Sequence, residues 1–276
     1  MEQFDPQVLK KLYSPASASH KGQNGKVLII AGSHLFHAAS LWPLTVASRI
    51  VDMVFYASVP ENNELVAKAK EEFRDGIVIP RENIDSYIKE ADCILIGPGM
   101  PRVEGQEAGD DNTKELTERL LKEYPEKKWV VDGGSLQTIS PELLPKTAIV
   151  TPHHREFEML FGKPVSEEAV VEMARKFGIT ILAKGVEDFV ASPTNAVRIA
   201  GGNPGMTKGG TGDVLAGLVA ALYAQNDDAF LVACAASYIN KKAGESLSQK
   251  VGIYFNASDL ASEIPHVMKE LIWSNF

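Results

Sequence analysis

The residues most suited to chemistry lie in a glycine-rich loop that ends on an acid. Six glycines occur among the thirteen residues from 201 to 213, and the apolar residues that follow recur at helical spacing. Backbone amides at the start of such a helix can approach and bind a phosphate group. Asp213 would repel that phosphate, so we interpret it as a general base that takes a proton from an attacking hydroxyl. The alternative is that Asp213 only caps the helix.

A histidine and a glutamate form the next candidate pair. His153 and Glu156 are three residues apart, just after an apolar run. If a helix begins near Pro152, the two side chains lie on one face, where His153 could contact substrate and Glu156 could position a water or a hydrated Mg²⁺. The alternative is that Glu156 only stabilises the first turn of a proline-started helix. Zinc is disfavoured because no third ligand occurs at a suitable spacing.

Two lysines and two histidines are weaker candidates. Lys184 follows an apolar run and could reach a nucleotide phosphate, although a Lys-Gly pair is also a common turn. Lys208 could balance phosphate charge from within the glycine-rich loop or could be an exposed lysine. His34 and His37 could face substrate or could be solvated.

Apolar runs and helical patterns alternate along the chain and would position these residues. Strands are predicted at 26–31, 53–58, 77–79, 93–96, 129–132, 148–151 and 180–183, with a hairpin at 189–191 and 196–199. Helices are predicted at 38–47, 62–72, 84–89, 113–123, 155–161, 167–177, 211–224, 229–247 and 258–271, and residues 102–111 are predicted to be a surface loop. This alternation indicates an α/β fold with a mainly parallel sheet and helices on both faces.

Four polar or glycine-containing loops follow predicted strands, at 32–37, 97–99, 132–134 and 151–156. Since ligands bind at the carboxyl ends of parallel strands, we expect all four loops to open onto one edge of the sheet. No internal repeat or linker divides the chain. We therefore expect one domain over residues 1–276, with residues 1–24 as an N-terminal lead.

Composition excludes several classes of protein. The 276 residues are 45% hydrophobic and 23% charged, which is typical of a globular enzyme. A formal charge of −8 without a basic cluster disfavours a nucleic-acid partner. Cys93 and Cys234 lie in apolar runs and indicate buried thiols. The sequence has no signal-peptide core and no run long enough to span a bilayer, so we expect a cytoplasmic protein without a membrane partner.

The glycine-rich loop, the Thr-Pro-His-x-x-Glu segment, the Lys-Gly pair and a Gly-Pro-Gly strand end, in this order, resemble one family. They are similar to the ADP-dependent NAD(P)H-hydrate dehydratases of the ribokinase-like superfamily, over about residues 25–271. Residues 203–217 carry the most specific match. The resemblance implies a three-layer ribokinase-like fold. It also implies a lyase, more specifically a hydro-lyase, that repairs the dinucleotide by dehydrating (6S)-NAD(P)H hydrate while ADP becomes AMP and phosphate.

The resemblance also implies residue roles. Asp213 is the expected base, and the amides of Gly210, Thr211 and Gly212 would hold the transferring phosphoryl group. The expected substrate-binding residues are Ala39, Gly99, His153 and Asp213. The expected nucleotide-binding residues are Lys184, Gly185, Val186, Glu187, Asp188 and Gly212. Glu156 matches the superfamily's metal acid, acting directly or through water.

The resemblance further implies ligands and assembly. ADP or ATP would be the phosphoryl donor, with Mg²⁺ as cofactor and NAD(P)H hydrate as the second ligand. Relatives often form symmetric oligomers, so a homo-oligomer is expected. The sequence has no counterpart of the epimerase domain fused in many relatives, so we expect epimerisation to be supplied elsewhere.

The sequence departs from the family pattern in its N-terminal half. Phe36 replaces a tyrosine, Ala38 replaces a glycine, and residues 49–53 replace a turn of small residues. We expect these departures to border the substrate side.

Two other functions remain open. An ATP-dependent kinase of a sugar or vitamin precursor would use the same aspartate and amides, although sugar kinases of the superfamily usually have asparagine where this chain has His153. The second is a nucleotide-sensing protein without turnover. It is disfavoured because binding alone would gain nothing from the charge of Asp213. Two choices stay open: the substrate is NADH hydrate or NADPH hydrate, and the phosphoryl donor is ADP or ATP.

Overall fold

A mainly parallel sheet forms the centre of the molecule. A computed structural model describes residues 1–69, 71, 74–102 and 106–273. Within them the sheet has ten strands, in the order β1-β10-β9-β8-β7-β6-β5-β2-β3-β4. The strands are β1 Glu2–Gln3, β2 Lys26–Ile30, β3 Met53–Ala57, β4 Ile77–Val78, β5 Cys93–Ile96, β6 Lys128–Val131, β7 Ala148–Val150, β8 Thr180–Ala183, β9 Asp188–Ala191 and β10 Ala196–Ile199.

The strands from β8 to β4 pair in parallel, and β9 forms antiparallel pairs with both β8 and β10. The predicted hairpin at the end of the parallel region is thus confirmed. β1, a two-residue strand that pairs in parallel with β10, was not predicted. So short a strand carries no periodic pattern that could predict it.

Helices cover both faces of the sheet, as predicted. They are α1 Ala38–Ala47, α2 Pro60–Ala69, α3 Ile84–Glu90, α4 Thr113–Glu123, α5 Gly133–Leu136, α6 His154–Phe161, α7 Glu167–Phe177, α8 Thr211–Gln225, α9 Ala229–Val251 and α10 Ala257–Met268. Successive residues of β2 point to opposite faces. Val27 and Ile29 join the core beneath α1, α8, α9 and α10, whereas Leu28 and Ile30 join the core on the other face. The three-layer α/β architecture follows from this alternation.

Most predicted elements agree with the structure to within a few residues. The predicted helix 62–72 begins at Pro60, two residues earlier, and its predicted positions 70 and 72 lie outside the described residues. The predicted surface loop 102–111 is only partly exposed, because the Asp110 side chain is fully buried against His34. Residues 103–105 of that loop lie outside the described residues. Cys93 and Cys234 are buried thiols, as predicted.

The strand order creates a crevice at one edge of the sheet. Strands β2 and β5 are neighbours in the sheet, but the next strand along the chain lies on opposite sides of them: β3 follows β2 on one side, and β6 follows β5 on the other. The strand order therefore reverses between β2 and β5, which makes this position a switch point. The loops after β2 and β5 begin at this crevice. Among the described residues, no helix is long and apolar enough to cross a membrane.

One expected feature of the substrate side lies elsewhere. Residues 49–52 precede β3 and Met53 is its first residue, so the segment lies at the amino end of the strands, opposite the crevice. Asp52 accepts hydrogen bonds there from the backbone amides of Gly22, Gln23 and Asn24. The expectation that residues 49–53 border substrate is therefore wrong, because parallel strands place their amino and carboxyl ends at opposite edges.

Candidate active site

The glycine-rich loop ends on a left-handed glycine that begins α8. Gly210 is the N-cap residue, with φ of 91°, and Thr211 donates hydrogen bonds through its hydroxyl to the carbonyls of Met206 and Lys208. Asp213 lies in the first turn and is not the cap. The alternative that Asp213 only caps the helix is thus wrong. The Thr211 amide donates a long hydrogen bond of 3.4 Å to the Lys208 carbonyl, whereas the Gly210 and Gly212 amides have no partner among the described residues and can bind an anion.

Gly210 is also constrained by a close neighbour. A Cβ atom at Gly210 would lie 2.3 Å from the Trp42 ring, far inside van der Waals contact. Trp42 is fixed in turn by a hydrogen bond of 3.0 Å from its Nε1 to the Ser258 hydroxyl. The indole thus holds the amides of the α8 N-terminus in place, and the sequence analysis did not identify it.

A buried lysine lies among three carboxylates beside this helix start. The Lys184 ammonium is 2.8 Å from Oδ1 of Asp132 and 3.9 Å from Oε2 of Glu156. Burial lowers the pKa of Lys184, but the attraction of Asp132 and Glu156, with a smaller one from Asp213, outweighs burial and raises the pKa overall. Lys184 therefore stays charged at neutral pH.

Glu156 is held at the start of α6 by a reciprocal cap. His153 is the N-cap: its Nδ1 accepts a hydrogen bond from the Glu156 amide, and the Glu156 carboxylate accepts one of 2.9 Å from the His153 amide. The helix therefore begins at His154 rather than at a proline. Burial raises the pKa of Glu156, the Lys184 charge opposes this rise, and the charge of Asp132 adds to it.

Asp213 has the electrostatic properties of a general base. Burial, together with the nearby charges of Asp132 and Glu156, raises its pKa to about 7, although Lys184 acts in the opposite direction. A base with a pKa near the working pH combines a useful ionised fraction with a strong affinity for the proton. The environment thus poises Asp213 for proton transfer at neutral pH.

Two cavities meet at this cluster. The larger cavity, of about 870 Å³, opens at the crevice, and the smaller, of about 420 Å³, lies between the glycine-rich loop and α9. Both cavities are lined by Lys184 and Gly212, whereas Asp213 and Gly210 line only the larger one. The start of α8 therefore lies at the junction of two binding spaces.

The larger cavity contains the residues expected to bind substrate. Ala39, Gly99, His153 and Asp213 all line it, together with Glu156. Phe36 and Ala38, which depart from the family pattern, line it as well. All four loops that were expected at one edge contribute to its wall, as predicted.

The smaller cavity contains most of the residues expected to bind nucleotide. Lys184, Gly185, Val186, Asp188 and Gly212 line it, whereas Glu187 is exposed and does not. The Asp188 carboxylate is already bonded, to the Gly185 amide, the Ser237 hydroxyl and, at 3.2 Å, the Lys241 ammonium. Its role in this structure is to shape the wall of the cavity.

Several site residues escaped the sequence analysis. Asp132 ends a strand at the active edge, and that position was a signal that could have identified it as the partner of Lys184. Lys241 donates hydrogen bonds to the carbonyls of Gly185, Val186 and Gly201, which holds two loops together. It lies within the continuous helical pattern of α9, so no local signal distinguished it.

Of three weaker candidates, Lys208 and His34 have other roles, whereas His37 lies where it was expected. The Lys208 ammonium donates to the carbonyls of Ile253 and Phe255, so it is neither free for phosphate nor merely exposed. His34 lies between the carboxylates of Asp110 and Glu61 rather than facing the larger cavity. His37 does line that cavity.

The donor set fits a hydrated magnesium ion better than an ion enclosed by protein. Among the described residues, no group of three or more His, Cys, Asp and Glu side chains could hold a metal. Mg²⁺ usually keeps several waters and binds through one or two carboxylates and substrate phosphates. Glu156 and Asp132, which line the larger cavity next to Lys184, are suited to that arrangement.

Comparison with known proteins points to one family. The family model described as NAD(P)H-hydrate dehydratase matches residues 27–266. An ADP-dependent (S)-NAD(P)H-hydrate dehydratase from Nitrosopumilus maritimus is 34% identical over 283 residues, covering 95% of this chain and 94% of that protein. A bifunctional NAD(P)H-hydrate repair enzyme from Methanocaldococcus jannaschii is 35% identical over 271 residues, covering 95% of this chain. The chain spans about half, 51%, of the length of that bifunctional relative.

A solved structure shares the fold. An ADP/ATP-dependent NAD(P)H-hydrate dehydratase from Bacillus subtilis, co-crystallised with ATP and Mg²⁺, superposes with a TM-score of 0.79 and 20% identity, covering 98% of each chain. At this identity the similarity establishes the fold alone. The ribokinase-like fold expected from the sequence is thus confirmed.

The contact between Gly210 and Trp42 predicts a large difference between two neighbouring substitutions. Gly210→Ala requires a left-handed alanine and displaces the indole, so we expect turnover to fall by at least about tenfold. Gly209→Ala is the matched control, because its Cβ meets nothing within 4 Å. Steady-state kinetics of both variants check this, and equal losses would contradict the constraint.

The raised pKa of Asp213 predicts that this residue destabilises the folded protein at high pH. In the folded protein Asp213 has a pKa of about 7, which is above its pKa in the unfolded chain. The free energy of unfolding therefore falls as the pH rises from the unfolded pKa to the folded one. In metal-free buffer, Asp213→Asn should raise the Tm by about 2–5 °C at about pH 8.5, and the gain should shrink toward about pH 5. Thermal melts across pH test this; a gain independent of pH would contradict the assignment.

Proposed function

The chain belongs to the NAD(P)H-hydrate dehydratase family, and from this premise we propose that it dehydrates NAD(P)H hydrate at the expense of ADP. The resemblance found in the sequence is thereby confirmed, as is the expectation of a hydro-lyase. The observation that carries the proposal is the position of Asp213, which lines a cavity large enough for the hydrate and directly follows Gly212, a residue that also lines the second cavity, suited to an adenine nucleotide.

The first proposed step transfers a phosphoryl group to the hydrate. The hydroxyl on the nicotinamide ring lies in the larger cavity and gives its proton to Asp213. Its oxygen then forms a bond to the β-phosphorus of ADP while the bond from that phosphorus to the bridging oxygen breaks, which releases AMP. The amides of Gly210, Thr211 and Gly212 stabilise the charge on the transferring group.

The second proposed step restores the ring. The carbon–oxygen bond to the new phosphate ester breaks, and the electron pair leaves with inorganic phosphate, assisted by the ring nitrogen. The neighbouring ring carbon then gives a proton to the departing phosphate, and the electron pair of that C–H bond forms the double bond. Phosphate is a far better leaving group than hydroxide, which is the chemical reason for coupling dehydration to a nucleotide.

Lys184 and the carboxylates around it attract opposite charges on the two ligands and on a bound cation. The Lys184 ammonium lines both cavities and can attract phosphate oxygens from either side. Mg²⁺, held through water by Glu156 and Asp132, would neutralise the nucleotide phosphates and polarise the transferring group. Three carboxylates against one ammonium leave an excess of negative charge that suits a cation bound together with the nucleotide.

ADP is the proposed phosphoryl donor, and an adenine nucleotide and NAD(P)H hydrate are the proposed ligands. The relative from Nitrosopumilus maritimus is named as ADP-dependent, and the Bacillus subtilis enzyme as ADP/ATP-dependent. The alternative of a small-molecule kinase is weaker, because the family model and the relatives are those of dehydratases. The two functions share the base and the amides, so an assay must separate them.

The proposed activity predicts recovery of reduced dinucleotide. Purified protein given NADH hydrate, ADP and Mg²⁺ should restore the absorbance of the reduced nicotinamide ring and release AMP and phosphate in equal amounts. Omission of the nucleotide is the control. If absorbance does not recover and ATP instead phosphorylates a thiazole, pyrimidine or sugar alcohol, the protein is a kinase.

The role of Asp213 predicts a separation of turnover from binding. Asp213→Asn should lower turnover by at least about a hundredfold, because the hydroxyl loses its proton acceptor. ADP binding, measured by calorimetry, should persist, because Asp213 does not line the smaller cavity. Asp227→Asn is the matched control, since this carboxylate is fully exposed and pairs with Lys128. Full activity of Asp213→Asn would contradict the assignment of the base.

A further inference from the structure

A buried hydrogen-bond network lies behind the loop that follows β2. Asn62, in the first turn of α2, is fully buried, and its side-chain nitrogen is 2.8 Å from the Tyr56 hydroxyl and close to the hydroxyls of Ser40 and Ser58. The Tyr56 hydroxyl donates its single proton to the Ala31 carbonyl, so its oxygen accepts from Asn62. The atom of Asn62 that faces Tyr56 is therefore the amine nitrogen, and the orientation of this carboxamide is fixed.

The fixed carboxamide determines which nitrogen of His37 carries a proton. The Asn62 carbonyl oxygen faces Nδ1 of His37 at 3.3 Å. A carbonyl oxygen only accepts hydrogen bonds, so Nδ1 carries the proton of the neutral imidazole and donates it to Asn62. Nε2 is then unprotonated and is a hydrogen-bond acceptor.

The acceptor nitrogen of His37 is open to a ligand. His37 lines the larger cavity, and its side chain is exposed. Within the described part of the chain, His37 has its hydrogen bond at Nδ1, and Nε2 has no partner. The two nitrogens of an imidazole ring point in widely different directions, so Nε2 is directed away from the buried network.

The second histidine of this cavity has the opposite tautomer. Nδ1 of His153 accepts a hydrogen bond from the Glu156 amide, so the proton of the neutral His153 ring is on Nε2. His37 and His153 both line the larger cavity. One imidazole therefore offers a lone pair at Nε2, whereas the other carries a proton there.

We propose that Nε2 of His37 accepts a hydrogen bond from an N–H or O–H group of the hydrate. The hydrate has such donors in the carboxamide of its nicotinamide ring and in its sugar hydroxyls. Because Asn62 sets the tautomer before the ligand arrives, binding requires no rearrangement of the imidazole. This inference rests on the proposed function, which assigns the larger cavity to the hydrate.

Nitrogen NMR of the histidine rings tests the tautomer and the contact directly. Protein with ¹⁵N-labelled histidine is measured at about pH 8.5, where neutral imidazoles predominate, and His37→Gln identifies the signals of His37. We expect a protonated Nδ1 and an unprotonated Nε2 for His37, and the reverse for His153. Saturation with NADH hydrate should shift the Nε2 signal of His37. AMP replaces ADP in this experiment, so that no phosphoryl group can be transferred.

Two variants separate the hydrogen bond from the shape of the side chain. His37→Leu removes the acceptor and should weaken binding of NADH hydrate, measured by calorimetry, about threefold to tenfold, the effect of one neutral hydrogen bond. His37→Gln is the matched control, because its carboxamide oxygen can replace Nε2, and it should lose less than about threefold. AMP should bind equally to all three proteins, since His37 does not line the smaller cavity.

The hydrate of the reduced 3-acetylpyridine analogue identifies the donor, because it keeps the sugar hydroxyls but has no amide N–H. If the carboxamide is the donor, His37→Leu weakens only NADH hydrate; if a sugar hydroxyl is the donor, it weakens both hydrates equally. A protonated Nε2 in the neutral ring, an unmoved Nε2 signal, or equal losses in His37→Leu and His37→Gln would overturn the proposal. Failure of the wild type to bind either hydrate would instead contradict the proposed function.

Discussion

The ammonium of Lys184 is the charge on which the site depends. It comes from the end of β8 and lies between Asp132, at the end of β6, and Glu156, in the first turn of α6. Without this cation, neighbouring carboxylates would repel one another in a buried environment, and each would favour its protonated form. The charge of Lys184 offsets part of this effect: it opposes the burial that raises the pKa of Asp213, which still reaches about 7. The contacts of Lys184 thus connect the ends of three neighbouring strands, β6, β7 and β8, with the start of α8.

The parallel sheet makes that contact possible. Because β6, β7 and β8 are neighbours and run in the same direction, residues far apart in sequence emerge side by side at their carboxyl ends. Thr151, at the end of β7, donates a hydrogen bond of 2.8 Å to the Asp132 carboxylate and so fixes the acid that holds Lys184. The start of α8 then completes the junction between the larger and the smaller cavity, which we propose to hold the hydrate and the nucleotide. In that proposal, ligand binding and proton transfer depend on one electrostatic arrangement.

Local patterns predicted the fold and the glycine-rich loop at the start of α8, because strands, helices and helix starts depend on residues close in sequence. Apolar runs located the strands, and the glycines before Asp213 indicated an anion-binding helix start. Contacts between distant segments were not predictable in this way. Lys208 bonds to carbonyls more than forty positions away, and Lys241 lies inside an ordinary helical pattern. Residues 49–53 were placed at the wrong edge, although their position before β3 could have corrected this.

The central claim is that the hydroxyl of the hydrate becomes phosphorylated beside Asp213 before it leaves. The fate of its oxygen tests this most directly. NADH hydrate carrying ¹⁸O in the ring hydroxyl is treated with the protein, ADP and Mg²⁺, and the released phosphate is analysed by mass spectrometry. Phosphorylation followed by elimination predicts that one ¹⁸O atom appears in each inorganic phosphate. Appearance of the label in water, with unlabelled phosphate, would show that the hydroxyl leaves without phosphorylation and would contradict this account.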